Sequence, residues 1–583
     1  MTRLSASDGP LVRGAAVALL TLGLLVAVSH LLPPFAVWIT DNGNKYIVMR
    51  NFAETGKAAV AHRAPEFFPT GGFHFVRHPS GYRSFYAEYY PRFAARWWSI
   101  FGERAPGWLS MLGAATAAGM MAAVLRRRHP LLPFLLIVAT PMFFFSFLLW
   151  EMTWSVCAAF AAWLLLEHKH PAAAGLVLGV SLLLREEAYC FAAALLAAMA
   201  WDRDFRTAGR FIVGMALATI PLWMWQYGEF GHILGLHGGN YYTNNRAAAE
   251  FSLMRELAGA LWNYYHHLLR FDAFDNPWLN RLCLFPVCIA VVVGGFTARR
   301  FDRLRTVVGA AAAAGWLVLI WGFLARDTGS EAFSAALLTG AVGTNPLFLP
   351  FYLNWRRAWL SRSRTIRNAA VTACVYLLIV PPLLTRNDIG LIYGARHFLC
   401  IAPLLLLLSA HFYRLFPEHR HITRPSRSAD SDTGRPQTGR RHRIILPLTA
   451  AVLATALQWG AFTALRHVAR ESAELERQIN ALPEKTLVTD VFFLPEQTPH
   501  LFFTKMILQL DDGNAAKLSE YLKANNSGGF ILILSADPRF RRISNPKLAK
   551  FLDAASPAAP PIRFRMIPGS GFMDLHIVRC RLK

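Results

Sequence analysis

Apolar runs of about 18 residues recur along the whole chain, with arginines gathered in the short stretches between them. A run of that length crosses a bilayer as one helix, because a segment in lipid must satisfy its backbone hydrogen bonds internally. This repetition restricts the fold of the 583 residues more than any motif does. With 54% hydrophobic and only 16% charged residues, and a mean hydropathy of +0.31, a disordered chain is excluded and an ordinary soluble enzyme nearly so. The net charge of +24 would point to nucleic acid in a soluble protein. Here much of it is arginine between apolar runs, the positive-inside pattern, so no nucleic-acid partner is expected.

The loop charges set a topology. With the N-terminus inside and a first span at about 12–33, residues 38–107 form a long outside loop. Spans follow near 107–125, 131–149 and 153–167, then near 210–227, 278–298, 306–325, 333–353, 368–385, 396–413 and 444–465. Arg126–Arg128, Arg203/Arg206/Arg210, Arg299–Arg305 and Arg356–Arg367 fall on the cytoplasmic side. The 415–443 stretch is polar, basic and rich in Pro, Gly and Ser, and reads as a disordered cytoplasmic loop near anionic headgroups. Six of the seven cysteines lie in apolar runs, so no disulfide framework is expected.

Pro171–Trp201 has cytoplasmic charge on both flanks, yet its 31 residues give only about 46 Å of helix where two full spans need about 60 Å. We read it as two short helices meeting at Arg185-Glu186-Glu187. Such a break inside membrane depth must face protein or a wet cavity. The total is about 13 transmembrane helices.

After Arg466 the composition changes. Strand-like 486–494, 505–510, 529–535, 562–567 and 573–581, with a helix over 514–525, describe a small α/β domain. No phosphate-binding glycine motif follows any of its strands. The expected architecture is an all-α polytopic membrane domain over 1–465 and an extracytoplasmic α/β domain over 466–583, in the inner (plasma) membrane.

The first outside loop begins Trp38-Ile39-Thr40-Asp41-Asn42-Gly43, continues into a helix-like run from Lys45 to Thr55, and later carries Tyr86-Ala-Glu-Tyr-Tyr-Pro91. Aromatics with arginines suit helices in the headgroup layer. Together with Gly175-Leu-Val-Leu-Gly179 leading to Leu184-Arg185-Glu186-Glu187, and Gly394-Ala-Arg396-His397-Phe-Leu opening a late span, this order resembles the GT-C superfamily of membrane glycosyltransferases, in particular the bacterial branch of aminoarabinose and protein O-mannosyl transferases. The resemblance covers about 40–465. It implies transfer of a sugar from a polyprenyl-phosphate donor to an extracytoplasmic acceptor (lipid, glycan or protein), with Asp41 at the family's catalytic-base position. Many members carry two adjacent acids here; this chain has Asp41-Asn42, and Asn42 cannot ionise.

The chemistry supplies its own candidates. A carboxylate takes the acceptor's proton, and cations stabilise the phosphate leaving group. Asp41 is the candidate base; the alternative is a helix N-cap in the Asp-Asn-Gly turn. Arg396 and His397 are placed to clamp the donor phosphate, or Arg396 snorkels at an interface. His237 joins them, in a glycine-rich outside loop, as a ligand for phosphate or for a divalent metal held with an acid from another loop. Arg185, Glu186 and Glu187 are a functional candidate or an internal ion pair. Glu151, in the turn after the third span, supports the acidic site or stays exposed. His74, His78, Arg77 and Arg83 read as solvated loop residues. A secondary transporter would also use a broken helix; a polyprenyl-diphosphate glycan ligase or polymerase, and a non-catalytic scaffold, are the remaining readings.

Overall fold

The computed structural model describes residues 9–68, 74–125, 130–236, 253–325, 340–383, 396–412, 438–525, 529–536, 542–553, 555–566 and 573–582. Among them, seven helices are long and apolar enough to cross a membrane: Pro10–Ser29 (α1), Ala105–Leu125, Phe205–Phe230, Pro277–Gly294, Arg299–Leu324, Arg364–Leu383 and the Leu448–Asn480 part of one long helix. Shorter apolar helices run over Met152–Glu167, Pro171–Ser181, Glu187–Trp201 and Arg396–Phe412. Large apolar side chains such as Leu19, Leu217, Met224, Val307 and Trp321 point outward. The chain is a multi-pass membrane protein.

Two expected spans are built differently. At 131–149 the helix Leu132–Val138 stops at Thr140-Pro141 and resumes only as Met142–Phe145. Pro141 cannot continue the ladder, and the Thr140 hydroxyl satisfies the Leu136 carbonyl at 2.5 Å. Of 333–353, the described part is a Pro346–Phe348 turn and a short Leu349–Tyr352 helix, each with a proline in its first turn.

The segment expected to break does break. Helices Pro171–Ser181 and Glu187–Trp201 are separate, joined by turns through Arg185. The first packs tightly on Phe205–Phe230, because a Cβ on Gly175 would lie 2.0 Å from the Phe211 carbonyl and one on Gly214 would lie 1.9 Å from that of Ala172. Small residues let helix backbones approach where lipid gives no hydrophobic drive.

Thr438–Asn480 is one helix of 43 residues, so the last expected span, 444–465, runs on into the tail without a break. At about 1.5 Å per residue it is about 65 Å long, enough to span a bilayer and continue beyond it. Its Leu475 and Ile479 are buried under the tail's sheet. That sheet has the order β4 (Met506–Gln509), β3 (Thr486–Thr489), β5 (Phe530–Ser535), β8 (Met573–Leu582), β6 (Ala555–Pro557), with β7 (Ile562–Met566) also on β8. The β3–β4 and β3–β5 pairs are parallel. Both faces are covered, Val488, Leu508 and Leu532 on one and Leu487, Ile507 and Ile531 on the other. This explains the near-continuous apolar runs of β3 and β5.

The first loop is not a solvated excursion. Helix α2 (Thr40–Thr55) is buried along nearly its whole N-terminal half, with Tyr46, Ile47, Val48 and Met49 fully enclosed. It therefore does not lie open in the headgroup layer as expected. The later helix α3 (Tyr89–Phe101) does leave Phe93, Ile100 and Phe101 outward. Ala64 and Phe67 join the tail's core, and Phe502 and Phe503 of the tail pack on Ile47, Val48 and Phe68. Loop and tail form one body over the helices.

Candidate active site

Helix α2 starts at Thr40, after extended Ile39, which puts Asp41 inside the first turn rather than at the cap. Lys45 is one turn on, on the same face. The hairpin of β1 (Phe75–His78) and β2 (Gly81–Ser84) then brings two more groups to that face. Its register, Phe75 opposite Ser84, sets His74 beside Tyr86, whose rings stack at 4.9 Å. Ser84 donates to Asn44 Oδ1 at 2.6 Å, tying the hairpin to α2.

Asp41 is 6% exposed. Its Oδ1 accepts the Tyr86 hydroxyl at 2.5 Å and its Oδ2 accepts Arg396 Nη1 at 2.7 Å. His74 Nε2 lies 3.8 Å from Oδ1. Arg396 stacks over Trp150, 5.1 Å from the ring centroid. His397, its neighbour, meets Glu187 Oε1 through Nδ1 at 2.5 Å, and its carbonyl accepts the Tyr376 hydroxyl at 2.7 Å. Glu187 binds Arg185 in a two-pronged pair, Nε to Oε2 at 2.8 Å and Nη2 to Oε1. Arg185 Nη1 reaches Glu151 Oε1 at 3.3 Å, and Glu151 Oε2 is paired with Lys45. The series returns to α2: Asp41, Arg396, His397, Glu187, Arg185, Glu151 and Lys45 form a ring of acids and bases in which Arg396 and His397 stand side by side, enclosed by protein.

Burial would by itself raise the Asp41 carboxyl. Arg396 above all, with His74, the Tyr86 hydrogen bond and Lys45, outweighs it and holds Asp41 below the ordinary aspartate range. Burial pushes the Lys45 ammonium down, only partly offset by Glu151. Burial and the Asp41 charge push the Tyr86 phenol well up, so it is a donor. His74 is raised: burial disfavours its charge, but Glu496 and then Asp41 more than compensate.

The sequence candidates Asp41, Arg396, His397, Glu151, Arg185 and Glu187 thus meet in one place. Glu151 is buried, not an exposed turn residue. Glu186 is exposed at the break. His237 lies outside the described residues. Among the described residues, no group of three or more His, Cys, Asp or Glu is arranged to hold a metal ion. His74 and Arg83 are buried rather than solvated, Arg83 against Glu88 and Glu229.

Three members were not read from the sequence. Lys45 carries the i, i+4 signal relative to Asp41, and Tyr86 stands in the aromatic run. Glu496 has no local signal. The strand expected over 486–494 ends at Thr489, and a short helix Leu494–Gln497 carries Glu496 back to the loop. Its Oε2 meets His74 Nδ1 at 2.9 Å and its Oε1 accepts Asn44 Nδ2 at 3.1 Å.

No family model matches the chain. No curated protein matches it either. Among solved structures it is similar to the crystal structure of ArnT from Cupriavidus metallidurans bound to undecaprenyl phosphate, at a TM-score of 0.49 and 13% identity over 98% of each chain.

Proposed function

We propose that this protein is a membrane glycosyltransferase that moves a sugar from a polyprenyl-phosphate donor to an extracytoplasmic acceptor. The observation that carries the reading is the enclosed pairing of Asp41 with Arg396, beside apolar helices that fit a lipid-tethered donor. A base and a phosphate-binding cation are what the reaction needs, and here each occupies the other until substrates arrive.

The donor phosphate competes with Asp41 for Arg396, whose planar fork suits phosphate oxygens. His397 stands beside Arg396 and shares the task. Once Arg396 turns to phosphate, Asp41 loses the strongest influence holding it acidic and becomes a better base. It takes the acceptor's proton as the acceptor oxygen bonds to the anomeric carbon. The bond from that carbon to the phosphate oxygen breaks, the electron pair leaves with polyprenyl phosphate, and Arg396 holds the charge. Glu151, Arg185 and Glu187 keep Lys45 and His397 in place. The ring supplies cations of its own for the leaving phosphate.

The working surface is extracytoplasmic and the membrane is the inner (plasma) membrane, with the arginine-rich loops inside. Cysteines placed singly at Ser363, on the arginine-rich end, and at exposed Lys517 in the tail are expected to label from opposite faces of sealed vesicles.

The direct test is purified protein in detergent with a panel of polyprenyl-phosphate sugars, scored by release of polyprenyl phosphate. Turnover with at least one donor is expected. No turnover with any, together with gradient-driven uptake of a solute in liposomes, would replace the transferase by a transporter.

A further inference from the structure

The tail enters the ring's neighbourhood at one point, and that point carries a charge. His74 lies between two carboxylates from different parts of the chain: Asp41 of α2 on its Nε2 side at 3.8 Å, and Glu496 of the tail on its Nδ1 side at 2.9 Å. Both carboxylates and the imidazole are buried. Glu496 is itself fixed by Asn44, which also donates to the His74 carbonyl at 3.2 Å. The backbones meet just as closely: a Cβ on Gly43 would lie 1.5 Å from the Glu496 carbonyl oxygen. Four residues beyond Glu496, His500 Nδ1 meets the Tyr46 hydroxyl at 2.9 Å, so the segment is held to α2 at two successive turns. A packing contact alone would not call for a buried carboxylate aimed at a histidine that faces the candidate base.

We propose that Glu496 is a positioning residue for Asp41, acting through His74, so that the C-terminal domain completes the active site. The proposal rests on the transferase reading above. Glu496 accepts from His74 Nδ1, which fixes the ring's orientation and keeps its Nε2–H turned toward Asp41. An imidazolium there favours ionised Asp41 while Arg396 is engaged with the donor phosphate, the moment at which Asp41 would otherwise lose its main counter-ion. Tyr86, stacked on its face, and Arg396, whose charge opposes protonation, also adjoin His74. Because His74 is raised in the folded protein, its charge is present at low pH and is lost as pH rises through its own titration.

The experiment compares full-length parent, Glu496→Gln and Glu496→Asp in detergent with two readouts. The first is the His74 titration by NMR on histidine-labelled protein, assigned by the signal missing in His74→Gln. The second is the pH profile of polyprenyl-phosphate release. In Glu496→Gln the His74 midpoint is expected to move to lower pH, and the alkaline limb of turnover with it. Turnover at neutral pH is expected to fall about tenfold to a hundredfold, the worth of one hydrogen bond to a charged group. Glu496→Asp keeps the charge at shorter reach and is expected to restore both readouts in part. Glu474→Gln, an exposed carboxylate on the long helix, is the control and keeps the parent profile. An unmoved His74 midpoint overturns the proposal, as does a moved midpoint with parent turnover and parent pH profile. A parent protein that transfers no sugar defeats the transferase reading itself, and is seen before any variant is compared.

Discussion

The helix Met152–Glu167 joins two ends of the molecule that use the same side chains for opposite purposes. At its N-terminal end, Glu151 is buried and meets Lys45 and Arg185. About 24 Å away, Glu167 accepts from Thr365 and Asn368, next to Arg364 and Arg367, which pair with Asp204 and Asp202. The neighbouring helix Glu187–Trp201 repeats the arrangement, with Glu187 in the ring and Asp202 in the arginine cluster. Distances do not separate the two ends: Arg396 to Asp41 is 2.7 Å and Arg364 to Asp204 is 2.6 Å. Solvent does. The Arg364 and Asp204 side chains are 56% and 28% exposed, those of Arg396 and Asp41 11% and 9%; within the arginine cluster Asp202 alone of the two aspartates is buried, at 8%. An exposed pair gains little, because water screens it. A buried pair costs much when broken, because the survivor stays charged without a partner. Surface pairs need no function to explain them, whereas a ring of buried charges does.

This contrast is open to attack at both ends. The largest stability effect is expected for Arg185→Ala, which takes one partner from both Glu151 and Glu187. A loss toward the lower end of about 3–5 kcal/mol is expected by thermal or denaturant unfolding in detergent, since Lys45 and His397 remain. An unchanged midpoint would mean that the ring is wet.

Gly43→Ala comes next. Its new methyl group meets backbone, which cannot step aside as a flexible side chain would. A cost of about 1–3 kcal/mol is expected, together with easier proteolysis of the tail as Glu496 is forced off α2. A tail as resistant as in the parent would show that α2 and the tail separate without consequence. The smallest effect belongs to the other end: Arg364→Ala is expected to change stability by no more than about 1 kcal/mol, and less at high salt. A loss comparable with that of Arg185→Ala would erase the distinction between the two ends.

Legibility followed physical range. Span-forming segments are written in consecutive residues, so most were found, and the break at Arg185 followed from a length that fits neither one span nor two. The departures at 131–149 and in the described part of 333–353 came where prolines sit inside apolar stretches and hydropathy hides them. In the site, Asp41, Arg396, His397 and Glu187 were visible because charge beside or within apolar runs needs a reason. Lys45 and Tyr86 stood in segments already singled out, but their partners were not predictable from spacing. Glu496 was out of reach: it lies 452 residues from the Asn44 it binds, and its run of Phe, Leu and Pro gave no sign that the strand would stop at Thr489. There the backbone turns because Asp490 accepts from Ser535 N–H at 3.0 Å and the Thr489 hydroxyl accepts from Val491 N–H at 3.0 Å.

In the proposed reaction the Asp41–Arg396 pair is a base and a phosphate clamp holding each other in reserve. Asp41→Asn keeps the size of the side chain and an oxygen for Tyr86, but removes the base. The decisive measurement is sugar transfer at saturating donor, with binding of polyprenyl phosphate followed in parallel. A turnover loss of about 10²–10⁴-fold is expected with donor binding undiminished, since Arg396 no longer divides itself between carboxylate and phosphate. Transfer at the parent rate would contradict it and leave Asp41 as no more than a structural partner of Arg396.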